Sequence, residues 1–347
     1  MKRAINIFSP NWEEADSYGR LAAELATGLE ARGYHVNRFG DGAPDKQFIQ
    51  PTFGGLFLGY PTLFSRDYER LWGIFASMGP RVAITMFESD KLLPQWAEGL
   101  NRCDAVIVPT PFWEKVFRDN GVHAALHSIP LGISQEFFSP KLRTLAPSKP
   151  LTFLAIADRG ARKAWDKAGF AFEEAFGQDM RYKLILKSRW IDFEIDNPNI
   201  EQIGRDMSNA ELAELYQRAD VMIFPSSGEG FGLPPREFAA TGGIALATDW
   251  GGTAHALRSW GVALPYKMAL AWRDKPQWYG KQGYWAEANQ DELVMKLRRI
   301  ADYFPYFAQD AMKAANFVKL HYQWSTFVDG VEAIWKKASE VQYASTG

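Results

Sequence analysis

The sequence has little of the features that define several protein classes. Its 347 residues include one cysteine, Cys103, which excludes an intramolecular disulfide and any multi-cysteine metal site. The formal net charge of −2 argues against a general electrostatic grip on nucleic acid or anionic lipid. No run approaches the ~18 apolar residues of a membrane-spanning helix, and the N-terminus lacks the apolar segment of a signal peptide. We therefore expect a soluble cytoplasmic protein without an integral membrane segment.

What is present is an ordinary globular composition, 47% hydrophobic, arranged as short apolar runs that alternate with helical patterns. In the first half, runs of strand character occupy residues 4–8, 81–85 and 104–109. In the second half, such runs occupy residues 151–157 and 182–187. Strands that alternate with helices predict parallel, doubly wound sheets. We therefore expect an α/β fold of two Rossmann-like domains whose sheets face each other across a cleft.

A polar, proline-containing stretch at residues 141–150 interrupts this alternation and is typical of a linker. It separates a first domain at residues 1–148 from a second domain at residues 149–322. Because α/β sheets bind ligands at the carboxyl ends of their strands, functional residues are expected in the loops that follow the strands.

One such loop lies in SSGEGFGLPPREFAATGG, residues 226–243, which places Glu229 and Glu237 on either side of a glycine- and proline-rich turn. Proline suits the first turn of a helix, which we expect to begin near Pro235. The amides of residues 231–233 can then point at an anion, and glycine lets the backbone approach a phosphate closely. Glu237 can accept two hydrogen bonds from a ribose diol. The alternative for Glu237 is a favourable position in the field of the helix dipole.

A second group of charged residues follows the first strand of the second domain. Arg159, Arg162 and Lys163 lie at the start of a predicted helix, where the helix dipole disfavours cations. A bound phosphate explains this arrangement, and solvated surface charge is the alternative. No Asp-x-Asp pair and no His-Glu-x-x-His sequence is present to hold a metal ion. The sequence therefore predicts no metal site and no cofactor.

These stretches carry a family resemblance. Residues 228–252, GEGFGLPPREFAATGGIALATDWGG, resemble the glutamate–seven–glutamate motif of retaining glycosyltransferases with the GT-B fold, in their large family 4 (glycosyl transferases group 1). Residues 197–227 and, in the first half, residues 81–122 also resemble that family. The resemblance extends from about residue 6 to residue 335 and so covers both domains. It implies that a last helix, within residues 323–347, returns to the first domain.

By that resemblance, Glu237 holds the donor ribose, and Glu229 is a candidate catalytic residue beside the transferring sugar. Glu88 is the second catalytic candidate, near a position where many relatives carry a histidine, and a helix-capping role is its alternative. In the sequence RKAWD, Lys163 takes the role of the diphosphate-binding lysine, although Ala164 stands where glycine is usual.

The same resemblance completes the donor site. The diphosphate-binding arginine is assigned to Arg159 rather than to Arg162. Gly19 corresponds to a glycine-rich loop that approaches the donor phosphates, although this chain has one glycine where relatives have two or three. The donor-binding candidates are Arg159, Lys163, Gly230, Phe231, Gly232, Leu233, Glu237, Gly19 and Gly204.

The resemblance predicts a metal-independent, retaining hexosyltransferase that takes a nucleotide-diphosphate sugar as its donor substrate. The acceptor stays open among saccharides, lipid-linked sugars, proteins, small molecules and modified nucleic-acid bases. A sugar phosphorylase or epimerase of the same fold and a non-catalytic nucleotide-sugar-binding protein are the alternatives. A nicotinamide oxidoreductase is disfavoured, because the first strand is not followed by Gly-x-Gly-x-x-Gly.

Overall fold

The computed structural model describes residues 4–13, 16–41, 54–64, 79–146, 149–156, 160–191, 195–271 and 283–345. The chain divides into two compact units, one formed by Met1–Gly132 with Tyr322–Gly347 and the other by Ile133–His321. Each unit is built on a parallel six-stranded sheet, which confirms the predicted α/β class with two Rossmann-like sheets.

The sheet of the first unit pairs its strands in the spatial order β2-β1-β3-β4-β5-β6, and all these pairs are parallel. Strands buried along their whole length are typical of a sheet that is covered on both faces. The strands are β1 (Ala4–Asn11), β2 (His35–Asp41), β3 (Gly55–Leu58), β4 (Arg81–Ile84), β5 (Ala105–Val108) and β6 (Ala125–Ser128). The helices before residue 132 are α1 (Ser17–Ala31), α2 (Pro94–Leu100) and α3 (Pro111–Asp119).

The second unit repeats this plan with the parallel order β12-β11-β10-β7-β8-β9, and an antiparallel pair, β13 with β14, follows the sheet along the chain. The strands are β7 (Leu151–Ile156), β8 (Tyr182–Ser188), β9 (Ile200–Gly204), β10 (Val221–Phe224), β11 (Ile244–Thr248), β12 (Val262–Leu264), β13 (Tyr266–Leu270) and β14 (Tyr284–Ala288). The helices are α4 (Trp165–Phe176), α5 (Asn209–Arg218), α6 (Leu233–Ala240), α7 (Gly251–Ala254), α8 (Leu257–Trp260), α9 (Gln290–Asp302) and α10 (Phe304–His321).

The last helix, α11 (Trp324–Ser345), packs against α1 within the first unit. Gly28 of α1 allows this close approach, since a Cβ there would lie 2.6 Å from a methyl group of Val328. Arg32, just after α1, donates a hydrogen bond of 3.1 Å from Nε to Asp329. The two helices are therefore joined by both apolar packing and an ion pair.

The strand order reverses at one place in each sheet. In the first sheet β1 lies between β2 and β3, and in the second sheet β7 lies between β8 and β10. At such a point the connections after neighbouring strands run in opposite directions and leave a crevice at the carboxyl ends of the strands. That crevice is where α/β sheets bind their ligands, so the strand order places a candidate site in each unit.

Apolar side chains fill the interior of both units, and Phe153, Phe172 and Leu246 are fully buried in the core of the second. Cys103 is buried in the first unit, where burial raises the pKa of its thiol above the usual range. None of the helices in the described ranges combines the length and the apolar composition required to cross a bilayer.

Candidate active site

Most of the described site residues predicted in the second unit lie on, or directly after, two loops that leave neighbouring strands. β7 and β10 are parallel, with Phe153 paired to Val221 and Leu154 paired to Met222, so both strands end at the same edge of the sheet. The segment between β7 and α4 and the segment between β10 and α6 therefore meet at the point where the strand order reverses.

Glycine and proline set the turn from β10 into α6. Gly232 precedes the helix with φ of 80°, a left-handed conformation that favours glycine. A Cβ at this position would lie 2.6 Å from Cγ2 of Thr253, so a side chain has no room. Helix α6 begins at Leu233, two residues before the expected start near Pro235, because both prolines fit its first turn.

Arg236 holds this turn from the inside, a role that no local sequence pattern indicates. Its side chain is fully buried, with 0% exposure, where arginine is usually at the surface. The guanidinium lies 4.0 Å from the ring centroid of Phe231 and 4.4 Å from that of Trp260. It donates hydrogen bonds to four main-chain carbonyls, those of Phe231, Gly232 (3.2 Å), Gly252 (2.9 Å) and His255 (3.0 Å).

Glu229 lies in the loop between β10 and α6 and is 8% exposed. Its Oε1 accepts hydrogen bonds from Nζ of Lys163 at 2.7 Å, from Nη1 of Arg162 at 3.2 Å and from Oγ of Ser226 at 2.6 Å. Burial alone raises the pKa of this carboxyl, but the charges of Lys163 and Arg162 hold the pKa of Glu229 below its usual value. Glu229 is therefore an oriented carboxylate anion. The contribution of Ser226 is a further feature that the sequence did not reveal.

Two of the three predicted cations therefore form ion pairs with Glu229. Arg162 and Lys163 belong to the segment between β7 and α4, whereas Arg159 lies outside the described residues. Ala164 precedes α4 with φ of 49°, a left-handed conformation that is costly for any residue with a Cβ. This conformation gives a physical reason for the glycine that the family pattern has at the position of Ala164.

Glu237 is 3% exposed and lies in the second turn of α6. Its Oε2 accepts a hydrogen bond of 3.0 Å from the hydroxyl of Tyr216 in α5. The Tyr216 ring is itself fixed by packing, with its centroid 5.4 Å from the ring of Phe137 and 5.7 Å from the ring of Phe238. Because α6 starts early, Glu237 lies outside the first turn, so the helix dipole does not account for its position. Tyr216 is a residue of the site that sequence reasoning missed.

The other donor-binding candidates of this unit occupy different places. Gly230 packs against Gly252, whose Cβ, if present, would lie 2.1 Å from the Gly230 carbonyl oxygen. Phe231 is 2% exposed, so its ring serves packing, and Leu233 is the first residue of α6. Gly204 ends β9 at the edge of the sheet, three strand spacings from β10, or about 14 Å.

The candidates of the first unit also follow strands near a reversal of strand order. Gly19 lies in the first turn of α1, and its amide donates a 3.0 Å hydrogen bond to the side chain of Asp16. A Cβ on Gly19 would lie 2.1 Å from the main-chain oxygen of Glu13, so glycine is required for the backbone to pass.

Glu88 follows β4 and is 8% exposed. The phenol of Tyr18 lies nearby and accepts a 3.1 Å hydrogen bond from the amide of Met86. Burial raises the pKa of Tyr18, and the neighbouring Tyr60 and Glu88 raise it further, so Tyr18 is a neutral phenol. In the described ranges, no group of three or more His, Cys, Asp or Glu residues is arranged to hold a metal ion.

Residues 188–273, which include β9, β10, α6 and both motif glutamates, match the family model described as glycosyl transferases group 1. A curated relative, the provisionally named glycosyltransferase 45 of Sulfolobus islandicus filamentous virus, is 22% identical over 248 residues. The alignment covers 68% of this chain and 66% of that protein, so the chain spans just under two thirds of its relative's length.

Several solved structures are similar over nearly the whole chain. Sucrose-phosphate synthase from Thermosynechococcus elongatus is 16% identical with a TM-score of 0.71, covering 97% of this chain and 99% of that one. A glycosyltransferase from Rickettsia africae is 13% identical with a TM-score of 0.72, at 97% and 98% coverage. A third structure, described as trehalose-6-phosphate from E. coli bound with UDP-2-fluoro glucose, is 10% identical with a TM-score of 0.67, at 96% and 99% coverage. At these identities the likeness establishes a shared fold, the GT-B architecture of two Rossmann-like units.

Proposed function

We propose that the chain is a retaining transferase that moves a sugar from a nucleotide-diphosphate sugar to a hydroxyl acceptor, because residues 188–273 match the family model described as glycosyl transferases group 1. One arrangement carries the proposal. At the reversal of strand order in the second sheet, the Lys163–Glu229 pair, the buried Glu237 and the start of α6 come together. Lys163 and the start of α6 suit the negative diphosphate of a nucleotide-diphosphate sugar, and the carboxylate of Glu237 suits the hydroxyls of its ribose.

Transfer from such a donor develops negative charge on the departing diphosphate. We propose that Lys163 and the main-chain amides of residues 231–233 stabilise that charge, because preorganised donors in a water-poor site do so effectively. By the family assignment, Arg159 adds a second positive charge. The acceptor hydroxyl then attacks the anomeric carbon on the face from which the diphosphate leaves. No metal ion has a role in this scheme.

Each glutamate has a separate role in the proposal. Glu237, fixed by Tyr216, accepts hydrogen bonds from the donor ribose. Glu229 lies beside the transferring sugar. In the first unit, Glu88 is assigned to the sugar or the acceptor, and Gly19 is assigned to the donor phosphates. A UDP-linked sugar is the first donor to test, because a protein of the same fold binds a UDP-sugar analogue. The acceptor hydroxyl belongs to a saccharide, a lipid-linked sugar, a protein, a small molecule or a modified nucleic-acid base.

A thermal-shift panel of UDP, GDP, ADP, CMP and their sugars, in buffer containing EDTA, tests the proposal. A ligand present at 100 times its dissociation constant raises the free energy of unfolding by about 2.7 kcal/mol. For a unit of this size, that change raises the melting temperature by about 5–10 °C. We expect one nucleoside diphosphate to give this shift without metal. If none of these ligands raises the melting temperature, the donor proposal fails.

Product analysis then separates transfer from the other reactions of this fold. The donor that gives the shift is incubated with mixed acceptors, with and without inorganic phosphate. A retained anomeric configuration in a glycoside product supports a retaining transferase. A sugar 1-phosphate that forms only with inorganic phosphate would instead identify a phosphorylase, and binding without any turnover would identify a binding protein.

A further inference from the structure

Arg162 makes more contacts with the motif loop than its neighbour Lys163 does. Its main-chain carbonyl accepts a hydrogen bond from the amide of Ser227 at 2.7 Å and lies 3.3 Å from Oγ of Ser226. Its Nη1 donates to the carbonyl of Gly228 at 2.6 Å and to Oε1 of Glu229 at 3.2 Å. One residue therefore contacts four consecutive residues of a loop that lies more than sixty positions away in the chain.

The contacted segment has little means of fixing its own shape. Gly228 and Gly230 flank Glu229, and glycine loses more conformational freedom on ordering than any other residue. A charged donor makes stronger hydrogen bonds to carbonyls than a neutral donor does, and the planar guanidinium holds two acceptors at a fixed spacing. The side chain of Arg162 is 14% exposed, so water competes weakly for these bonds.

The three bonds to Glu229 share one oxygen. Lys163, Arg162 and Ser226 all donate to Oε1, and the described part of the chain gives no hydrogen bond to Oε2. Convergence on Oε1 fixes the rotation of the carboxylate and directs Oε2 away from these donors. A carboxylate that is oriented in this way can present its second oxygen to a substrate.

We infer that Arg162 is a positioning residue, which fixes the Ser226–Gly228 backbone and the carboxylate of Glu229 and leaves the donor diphosphate to Lys163. Its effect on turnover rests on the proposed transferase function, whereas its effect on the loop does not. The inference also separates Arg162 from Arg159, for which the family assignment implies contact with the diphosphate.

The kinetic test compares Arg162→Ala, Arg162→Lys and the control Arg258→Ala, which removes an 80% exposed arginine of the same unit. Misplacement of a group in the site costs about 100-fold in kcat, which we expect for Arg162→Ala with an unchanged Kd for UDP by calorimetry. Arg162→Lys restores part of the kcat. If Arg162→Ala instead weakens UDP binding about tenfold or more and leaves kcat unchanged, Arg162 contacts the diphosphate and the inference is wrong.

A pH profile adds a readout that a purely structural role would not move. Among the described residues, the charged side chains that face Glu229 are Lys163 and Arg162. Removing Arg162 takes away one of these two positive charges, so the pKa of Glu229 rises and the acid limb of the kcat profile moves to higher pH. An unmoved acid limb in Arg162→Ala would count against the inference.

Hydrogen exchange tests the loop independently of any donor. Amides of residues 226–230 should exchange faster in Arg162→Ala than in the wild type, and at the wild-type rate in Arg258→Ala. Equal exchange in all three proteins would overturn the positioning role. If the wild type binds no nucleoside diphosphate while the exchange difference appears, the proposed transferase function fails and the positioning of the loop stands.

Discussion

The two units contain the same kind of corner, a strand that leads into a helix where the strand order reverses, but the two corners treat the helix start differently. At the start of α1, the side chain of Asp16 accepts hydrogen bonds from the amides of Tyr18 at 2.9 Å and of Gly19 at 3.0 Å. At the start of α6, the N-cap residue is Gly232, which has no side chain to accept such bonds. Within the described residues, a side chain caps the start of α1 and none caps the start of α6.

The difference shows how one topology gives two electrostatic outcomes. A carboxylate at the start of α1 complements the positive end of that helix, so a bound anion gains less there than at a helix start without a carboxylate. The first turn of α6 has no acidic residue, and Lys163 lies on Glu229 just before it. The second corner is therefore the one that suits a diphosphate. The turn at the second corner is held instead by Arg236, which donates to the main-chain carbonyls of Gly232 and Gly252.

The largest effect is expected from Arg236→Met, which removes the clamp that only the second corner has. Four buried carbonyls lose their donor, and each unsatisfied buried group is costly, so the free energy of unfolding should fall by about 3–5 kcal/mol. Chemical denaturation measures this change. Arg258→Ala is the control, with an expected change within about 0.5 kcal/mol. A wild-type unfolding midpoint for Arg236→Met would show that Arg236 does not hold the turn.

The next effect concerns donor binding at the second corner. Glu237→Ala should weaken binding of the donor nucleotide by about 1.5–3 kcal/mol, or about 10- to 140-fold in Kd, the range for hydrogen bonds to a charged group. Calorimetry with UDP measures it. Tyr216→Phe, which removes only the hydroxyl that orients Glu237, should cost about 1 kcal/mol. Unchanged affinity in Glu237→Ala would remove Glu237 from the donor site.

Glu229→Gln sharpens the electrostatic side of the comparison through pH. The folded pKa of Glu229 is depressed, so its contribution to stability is present above the unfolded value of about 4.3 and is lost as pH falls through the folded pKa. Denaturation between pH 7 and pH 3 should show a stability loss on acidification that is smaller in Glu229→Gln. At pH 7 the variant should be less stable by about 1.5–3 kcal/mol. Identical pH dependence in both proteins would mean that Glu229 is not held as an anion.

The smallest effect tests the first corner. Asp16→Ala removes the cap of α1 and should lower the free energy of unfolding by about 1 kcal/mol. The affinity for UDP should change less than in Glu237→Ala, since the protein's own carboxylate already accepts from the amides at the start of α1. If Asp16→Ala weakened UDP binding as much as Glu237→Ala does, the distinction between the two corners would be lost.

Much of this arrangement could be predicted from the sequence, and the missing parts share a cause. The alternation of strands and helices predicted the α/β class, and the Ser208 and Glu211 capping box is present at the start of α5. These are local patterns. Nη1 of Arg162 donates a hydrogen bond to the carbonyl of Gly228, which lies 66 positions further along the chain. No local pattern in the sequence encodes such a contact.

Burial of polar side chains was equally hidden. Arg236 directly precedes Glu237 in the motif, yet its residue type predicts exposure, and only the turn around it makes it a buried donor. The position of Gly204 was hidden for another reason. Its strand, β9, is the edge strand, and strand order in a sheet is not readable from the order of strands in the chain.

The burial of the single thiol has a practical consequence. Thiolates are the form that reacts with maleimides, and the raised pKa of Cys103 keeps it protonated as well as buried. Cysteines introduced at exposed positions, such as Lys115 in the first unit (76% exposed) and Arg258 in the second (80% exposed), can be labelled without first replacing Cys103. A donor and acceptor fluorophore at those two positions would report the distance between the units by single-molecule energy transfer, with and without nucleotide.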